Sequence, residues 1–319
     1  MQAGLEYHEL HRGGATSWWR ALIGVLVLLL NFIGAMLFPI LLMVVFTGFF
    51  VAQGDTWHQA VDHLTGDTVT PGFLAFLNLT LASAIPTVMI LTYVLHGWLR
   101  PGWVASVAGR MRWRWMLVCF GIAVLALFVT LVVSALLPSA ADDDLGGTVN
   151  HFTSTTRDYL LVVLLLTPLQ AAGEEYAFRG YLTQAFGGVF RRRWVAVLVP
   201  AVLFALAHGK QGFPVFCDRL AFGVVAGILV IVTGGLEAGI AMHVLNNFLA
   251  FGLALAFGNM DDALHPDAGS WWMIPSTLTQ SLVYLGVVTF VARRLGIASR
   301  TAGSSAEGAT VLVGQTPSV

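Results

Sequence analysis

The stretch AAGEEYAFRGYL, Ala171 to Leu182, places two adjacent carboxylates and an arginine inside an otherwise apolar run. Glu175 and Arg179 stand four residues apart, so on a helix they share a face and can pair. Glu174 is turned away by about 100° and finds no such partner on its own helix. It reads as an unpaired carboxylate in a low-dielectric site, a group suited to general-base work. Two more stretches carry matching groups. LFALAHG holds Phe204 and His208; AMHVLNNFLAF holds His243 and Asn247, with Asn246 sharing part of their face. Each pair is again spaced i, i+4. A carboxylate with a histidine can activate water. A histidine N–H and an asparagine amide can meet a developing oxyanion. Taken singly, each group has a structural reading: a Glu–Arg tie, or a His or Asn hydrogen bond between helices. Taken together on three segments, they point to a functional site.

The segments that carry them belong in a bilayer. Only 10% of the 319 residues are charged, against roughly 25% in soluble domains, and the mean hydropathy is +0.79. Such a chain cannot cover itself with polar residues, so the lipid must serve as its solvent. A net charge of −1 gives no reason to expect nucleic acid as a partner. Two distant cysteines, Cys119 and Cys217, make neither a disulfide framework nor a thiolate metal site. The first apolar run is too long for a signal peptide and reads as a retained span.

The hydropathy pattern predicts an all-α polytopic membrane helix bundle with about eight transmembrane helices. They cover 18–47, 72–98, 115–137, 158–186, 194–213, 219–234, 236–258 and 271–292. Pro39, Pro86 and Pro168 are candidate kinks in the first, second and fourth spans. With the N-terminus inside, the inner segments hold Arg12, Arg20, Arg100, Arg110, Arg112, Arg114, Arg191 to Arg193, Arg293, Arg294 and Arg300. The outer segments hold Arg157, Lys210 and Arg219. This bias predicts both termini on the cytoplasmic side, in a bacterial plasma membrane. The acidic stretches GDTWHQAVDHLTGD, ADDDLGG and MDDALHPD then fall outside, and Trp18, Trp19, Trp98, Trp115, Trp194, Trp271 and Trp272 flank the spans as interface anchors.

At 1.5 Å per residue, Glu174 lies about 18 Å, His208 about 21 Å, and His243 and Asn247 about 11 and 17 Å above the inner side. All belong to one broad layer. The organisation reads as N-terminal spans with loops (1–157), a core (158–258), a last loop and span (259–297), and a disordered cytoplasmic tail (298–319).

At these residues the sequence resembles the CPBP family, the CAAX protease and bacteriocin-processing (Abi) intramembrane proteases. Their motifs are E-E-x-x-x-R, F-x-x-x-H and H-x-x-x-N on three helices. Here they stand, in order, as Glu174-Glu175-x-x-x-Arg179, Phe204-x-x-x-His208 and His243-x-x-x-Asn247. The resemblance covers about 158–258 and nothing in the first three spans. It implies peptide-bond hydrolysis within the membrane, on a peptide or lipidated-protein substrate that enters from the bilayer. It assigns Glu174, with His208, to water activation, and His243 and Asn247 to the oxyanion. Glu175, Arg179 and Phe204 are supporting residues.

No cofactor is required by that chemistry. Zinc held by Glu174, His208 and His243 is the alternative, although no H-E-x-x-H pair shares a helix. Two rival functions stay open. One is a non-catalytic membrane scaffold or bacteriocin self-immunity protein of the same fold. The other is an ion or solute transporter, against which stands the lack of an internal repeat.

Overall fold

The computed structural model describes residues 1–65, 68–136, 149–264 and 269–302. Every described element is a helix. A short 3-10 helix, Tyr7–Gly13, comes first. It is followed by α1 (Trp18–Phe32), α2 (Leu37–Ala52), α3 (Trp57–Thr65), α4 (Pro71–Ala82), α5 (Ala84–Leu95), α6 (Gly102–Ala105) and α7 (Trp113–Leu136). Next is α8 (Ser154–Glu174), which continues as a π-helix (Glu175–Leu182) and then α9 (Thr183–Phe190). The remainder are α10 (Arg193–Ala207), α11 (Phe213–Thr233), α12 (Glu237–Phe257), α13 (Met260–Leu264) and α14 (Met273–Arg294).

Seven stretches are long and apolar enough to cross a bilayer: 18–52, 71–95, 113–136, 154–190, 213–233, 237–257 and 273–294. The eighth expected span is the shorter apolar helix α10. The protein is thus a polytopic helical bundle and an integral membrane protein. Large apolar side chains cover its flanks, among them Leu22, Leu26 and Leu29 on α1 and Leu125, Phe128 and Val132 on α7. Such surface is stable only against lipid.

Proline marks the span interiors in a different way from the kinks expected. The first span breaks at Gly34, whose φ of 78° suits glycine, and Pro39 sits harmlessly in the first turn of α2. The second breaks at Ser83, and Pro86 again falls in a first turn, that of α5. Of these three only Pro168 lies within a helix interior, six residues before Glu174, and Pro200 is a further interior proline in α10. The sixth span begins at Phe213 rather than 219, so Arg219 belongs to the helix and not to an outer loop.

Of the acidic outer stretches, the first forms α3, and the last begins with α13. ADDDLGG lies outside the described residues, as does 303–319 of the expected disordered tail. Residues before 303 pack: Thr301 donates its amide to Leu5 O and accepts from Leu5 N, both at 3.0 Å. Arg300 and Arg193 both pair with Glu6. The 3-10 helix therefore ties the start of the chain to the end of α14 and packs on α9. Burial opposes ionisation of Glu6. The hydrogen bond and charge of Arg193, with Arg300 and His8, outweigh it and hold its carboxyl below the usual range.

The core is formed where α4 packs on α8, α8 on α12, α12 and α14 on α7, and α10 and α14 on α11. Gly173, next to Glu174, permits the closest of these crossings. A Cβ there would meet Leu81 O of α4 at 2.3 Å. Thr153 caps α8 by accepting from Thr156 N at 3.1 Å. At the opposite end of the bundle, Arg112 clasps the fully buried Glu237 through Nε at 2.8 Å and Nη2 at 2.7 Å. That fork fixes the start of α12, and so the height of His243 two turns on.

Candidate active site

The polar cluster sits at the joint between α8 and the π-helix. All eight residues of the π-helix are buried. A π turn carries its hydrogen bonds to the fifth residue, and Thr183 Oγ1 follows this pattern by donating to Phe178 O at 3.1 Å. The widened turn presents Glu174 and Glu175 together toward α12.

Glu175 is fully buried. Its Oε1 accepts from Arg179 Nη1 at 2.9 Å and also lies 2.9 Å from His243 Nδ1. The expected i, i+4 pair is therefore present, and a third group shares it. The other ring nitrogen of His243, Nε2, lies 3.4 Å from Glu174 Oε2. His243 thus bridges the two carboxylates. With Nδ1–H directed at Glu175, Nε2 is the ring nitrogen that faces Glu174. Glu174 has no ion-pair partner on its own helix, as its 100° offset requires.

Asn247, one turn beyond His243, donates from Nδ2 to Gln170 Oε1 at 2.9 Å. Gln170 in turn stands one turn before Glu174. Phe204 is the apolar hub. Its ring lies 4.0 Å below the Arg179 guanidinium and makes edge contacts with His243 at 5.9 Å and His208 at 4.7 Å. Phe222 of α11 covers the remaining side of His243 at 5.2 Å. A cation held over two aromatic faces keeps its charge while displacing water.

His208 is not on a helix interior. It caps the end of α10, where its Nδ1 lies 2.8 Å from Phe204 O. A carbonyl only accepts, so Nδ1 carries the proton and Nε2 keeps its lone pair. Glu174, Glu175, Arg179, Phe204 and His243 are brought together through direct contacts, and Asn247 is bonded to Gln170, one turn before Glu174. His208 joins them through Phe204.

Two contributors to the cluster, Gln170 and Gly239, were not legible as site residues, and Arg219 was placed outside the helix that carries it. Gln170 had a signal in being polar, apolar-flanked and four residues before Glu174. Gly239 lies four residues before His243, and a Cβ there would meet Glu175 Oε2 at 2.7 Å. Arg219 was assigned to a loop because the hydropathy of its helix falls away near residue 219. Two buried networks also lie outside the motifs: Arg112–Glu237, and a stack of His11 on His96 at 3.7 Å beside Tyr181 of the π-helix.

Nδ1 of His243 faces Glu175 and Nδ1 of His208 faces a backbone carbonyl, which leaves Nε2 of each ring outside those bonds. Among the described residues no three His, Cys, Asp or Glu side chains are arranged to hold an ion.

The polytopic bundle thus buries a Glu/Arg/His/Asn cluster between its helices. Comparison with known proteins agrees: residues 156–249 match the family model of the Rce1-like type, described as type II CAAX prenyl endopeptidase Rce1-like. The match bears out the resemblance seen in the three motifs and spans all of them. At the family level it supports an intramembrane protease. The chain is also 26% identical over 196 residues to "Uncharacterized protein YyaK" of Bacillus subtilis (strain 168). That alignment covers 58% of this chain and 64% of the relative, so the chain spans under two thirds of the relative's length. No solved structure matches the chain.

Proposed function

We propose that the protein is an endopeptidase that hydrolyses a peptide bond of a membrane-delivered substrate with water activated by Glu174 and His208. The observation that carries this reading is the bridging of Glu174 and Glu175 by one imidazole. It leaves Glu174 as the carboxylate without a guanidinium, and it sets the second imidazole nitrogen beside it. Water, oriented by Glu174 and the Nε2 lone pair of His208, attacks the carbonyl carbon and passes its proton to Glu174. The oxyanion is met by Nε2–H of charged His243 and by the Asn247 amide, which exchanges its bond to Gln170. Glu174 returns the proton to the amide nitrogen, and the C–N bond breaks.

The substrate class is a peptide or lipidated protein. It is supported by the lipid-covered flanks of the bundle and the family description. The arginine distribution supports cytoplasmic termini in a bacterial plasma membrane. The mechanism is written without a metal, and zinc held by Glu174, His208 and His243 is the alternative that the test below separates from it.

The test is cleavage of membrane-segment and lipidated C-terminal peptides by the purified protein in liposomes. Loss of cleavage in both Glu174→Gln and His208→Ala, with folded protein, supports the reading. Inhibition by a chelator that zinc reverses would replace it with the metal version. Full activity of Glu174→Gln would leave a scaffold or transporter.

A further inference from the structure

Gln170 is a polar side chain within a membrane helix, and the proposed chemistry only takes a bond away from it. It stands on α8, one turn before Glu174, and is buried. An amide is kept in such a place only where its hydrogen bonds offset the cost of leaving water. Its Oε1 accepts from Asn247 Nδ2 of α12 at 2.9 Å. The same amide is within hydrogen-bonding reach of the Glu174 carboxylate. An ionised carboxylate only accepts, so the end of the amide turned to Glu174 is Nε2. Both neighbours therefore set the amide the same way round, with its acceptor toward Asn247. Asn247 is half-buried, so the pair is less enclosed on its side.

When the Asn247 amide turns to the oxyanion, Gln170 Oε1 is left as a buried acceptor without a partner. That is costly unless another donor replaces the lost bond. An extended peptide carries such a donor in the right place. In a strand the N–H and C=O of one residue point the same way, and the neighbouring strand meets them with an acceptor and a donor side by side. Gln170 Oε1 and Asn247 Nδ2 are an acceptor and a donor side by side, supplied by side chains. We propose that Gln170 is a specificity residue: its Oε1 accepts the backbone N–H of the residue that supplies the scissile carbonyl, while Asn247 takes that carbonyl's oxygen. One internal bond then gives way to two bonds with the substrate, and a single extended residue is held at two points beside Glu174. The inference rests on the hydrolase reading and adds which backbone group of the substrate the site reads. A residue without an N–H, proline above all, is disfavoured immediately before the scissile bond.

The experiment uses the full-length protein in liposomes and a membrane-segment peptide whose scissile bond has been located by mass spectrometry. Its partner is the same peptide with that one N–H replaced by an ester oxygen. Wild type is expected to cleave the N–H peptide about tenfold faster in kcat/KM, the scale of one buried hydrogen bond. Gln170→Met keeps the length of the side chain and removes the acceptor. It should bring the two peptides to similar rates, mainly by slowing the N–H peptide. Asn247→Leu should slow both peptides and keep the preference. The ratio of two peptides in one preparation does not depend on how much of a variant is folded, and Gln170→Leu gives the same reading if Gln170→Met is poorly made. Equal cleavage of the two peptides by wild type, or an undiminished preference in Gln170→Met, would overturn the acceptor role while leaving the hydrolase intact. If wild type cleaves no peptide, the hydrolase reading fails for this substrate class. Binding of labelled peptides with each N–H replaced in turn then decides on Gln170 alone. One N–H whose loss weakens binding to wild type but not to Gln170→Met supports the role, and the lack of any such position overturns it.

Discussion

His243 Nδ1 lies 2.9 Å from Glu175 Oε1, across the gap between α12 and the π-helix. This contact orders the imidazole and directs its other nitrogen at Glu174. Two residues adjacent in sequence thereby acquire unlike surroundings. Glu175 is paired with Arg179, and Glu174 has no guanidinium partner.

Glu174→Gln keeps volume and removes the base. Turnover of any cleavable peptide is expected to fall by about 10²–10⁴-fold. The thermal midpoint should stay close to that of wild type, because Glu174 contributes no guanidinium pair. A stability loss that accounts for the missing activity would count against a base.

Arg179→Ala strands Glu175 in a fully buried site. Removing one member of a buried ion pair costs about 3–5 kcal/mol, and here both members are at most 1% exposed. Unfolding in detergent should show a loss of that order. Arg179→Lys should recover less than half, since an ammonium cannot both bond Glu175 and lie flat on Phe204.

Gly239→Ala would set a Cβ 2.7 Å from Glu175 Oε2. The carboxylate must shift, and with it His243. Activity should drop by at least about tenfold through misplacement. Gly252→Ala, on the same helix with nothing within 4 Å, is the matched control and should be silent. Equal effects in the two variants would remove Gly239 from the site's support.

Acid should loosen the N-terminal strap. His11 and His96 stack at 3.7 Å, and His96 lies 2.8 Å from Ala15 O and 3.0 Å from Tyr181 Oη. Burial lowers both histidines, His96 to about 4, against Ala15 O, which raises it, and with the charge of Arg20, which lowers it further. The unfolded chain takes up these protons at its ordinary 6.5. Stability from this pair is therefore complete above 6.5 and is lost as pH falls from there toward 4. Melting curves across that window should show the loss in wild type and a smaller one in His96→Asn. The same slope in both would clear the stack of the effect.

Much of this was written in the sequence because the bilayer makes the rules strict. Long apolar runs predicted the bundle, with the end residues of each helix off by a few positions. The i, i+4 spacing gave Glu175–Arg179 outright. What it could not give was the third dimension. Nothing about His243 says that its two nitrogens will face two carboxylates, since that depends on a π turn and on Gly239 letting α12 approach. Hydropathy averages over a window, so a single arginine moved the start of α11 and hid Arg219 in an imagined loop. The N-terminal 3-10 helix was missed for a simpler reason. It is short and polar, and its burial comes from contacts with Arg193, Arg300 and Thr301, which sequence distance conceals.

Those contacts bear on the order in which the molecule is built. Tyr7 reaches Val104 O at 2.5 Å, and the strap that carries it also supports Tyr181 within the π-helix. Its seat is complete only when Arg300 and Thr301 have left the ribosome, after all the described helices have been made. A nascent chain halted before that point would hold its glutamates in a rod whose brace is still missing. A finished site would then be the last property acquired during biogenesis, and the proposed activity would be withheld from a half-made copy.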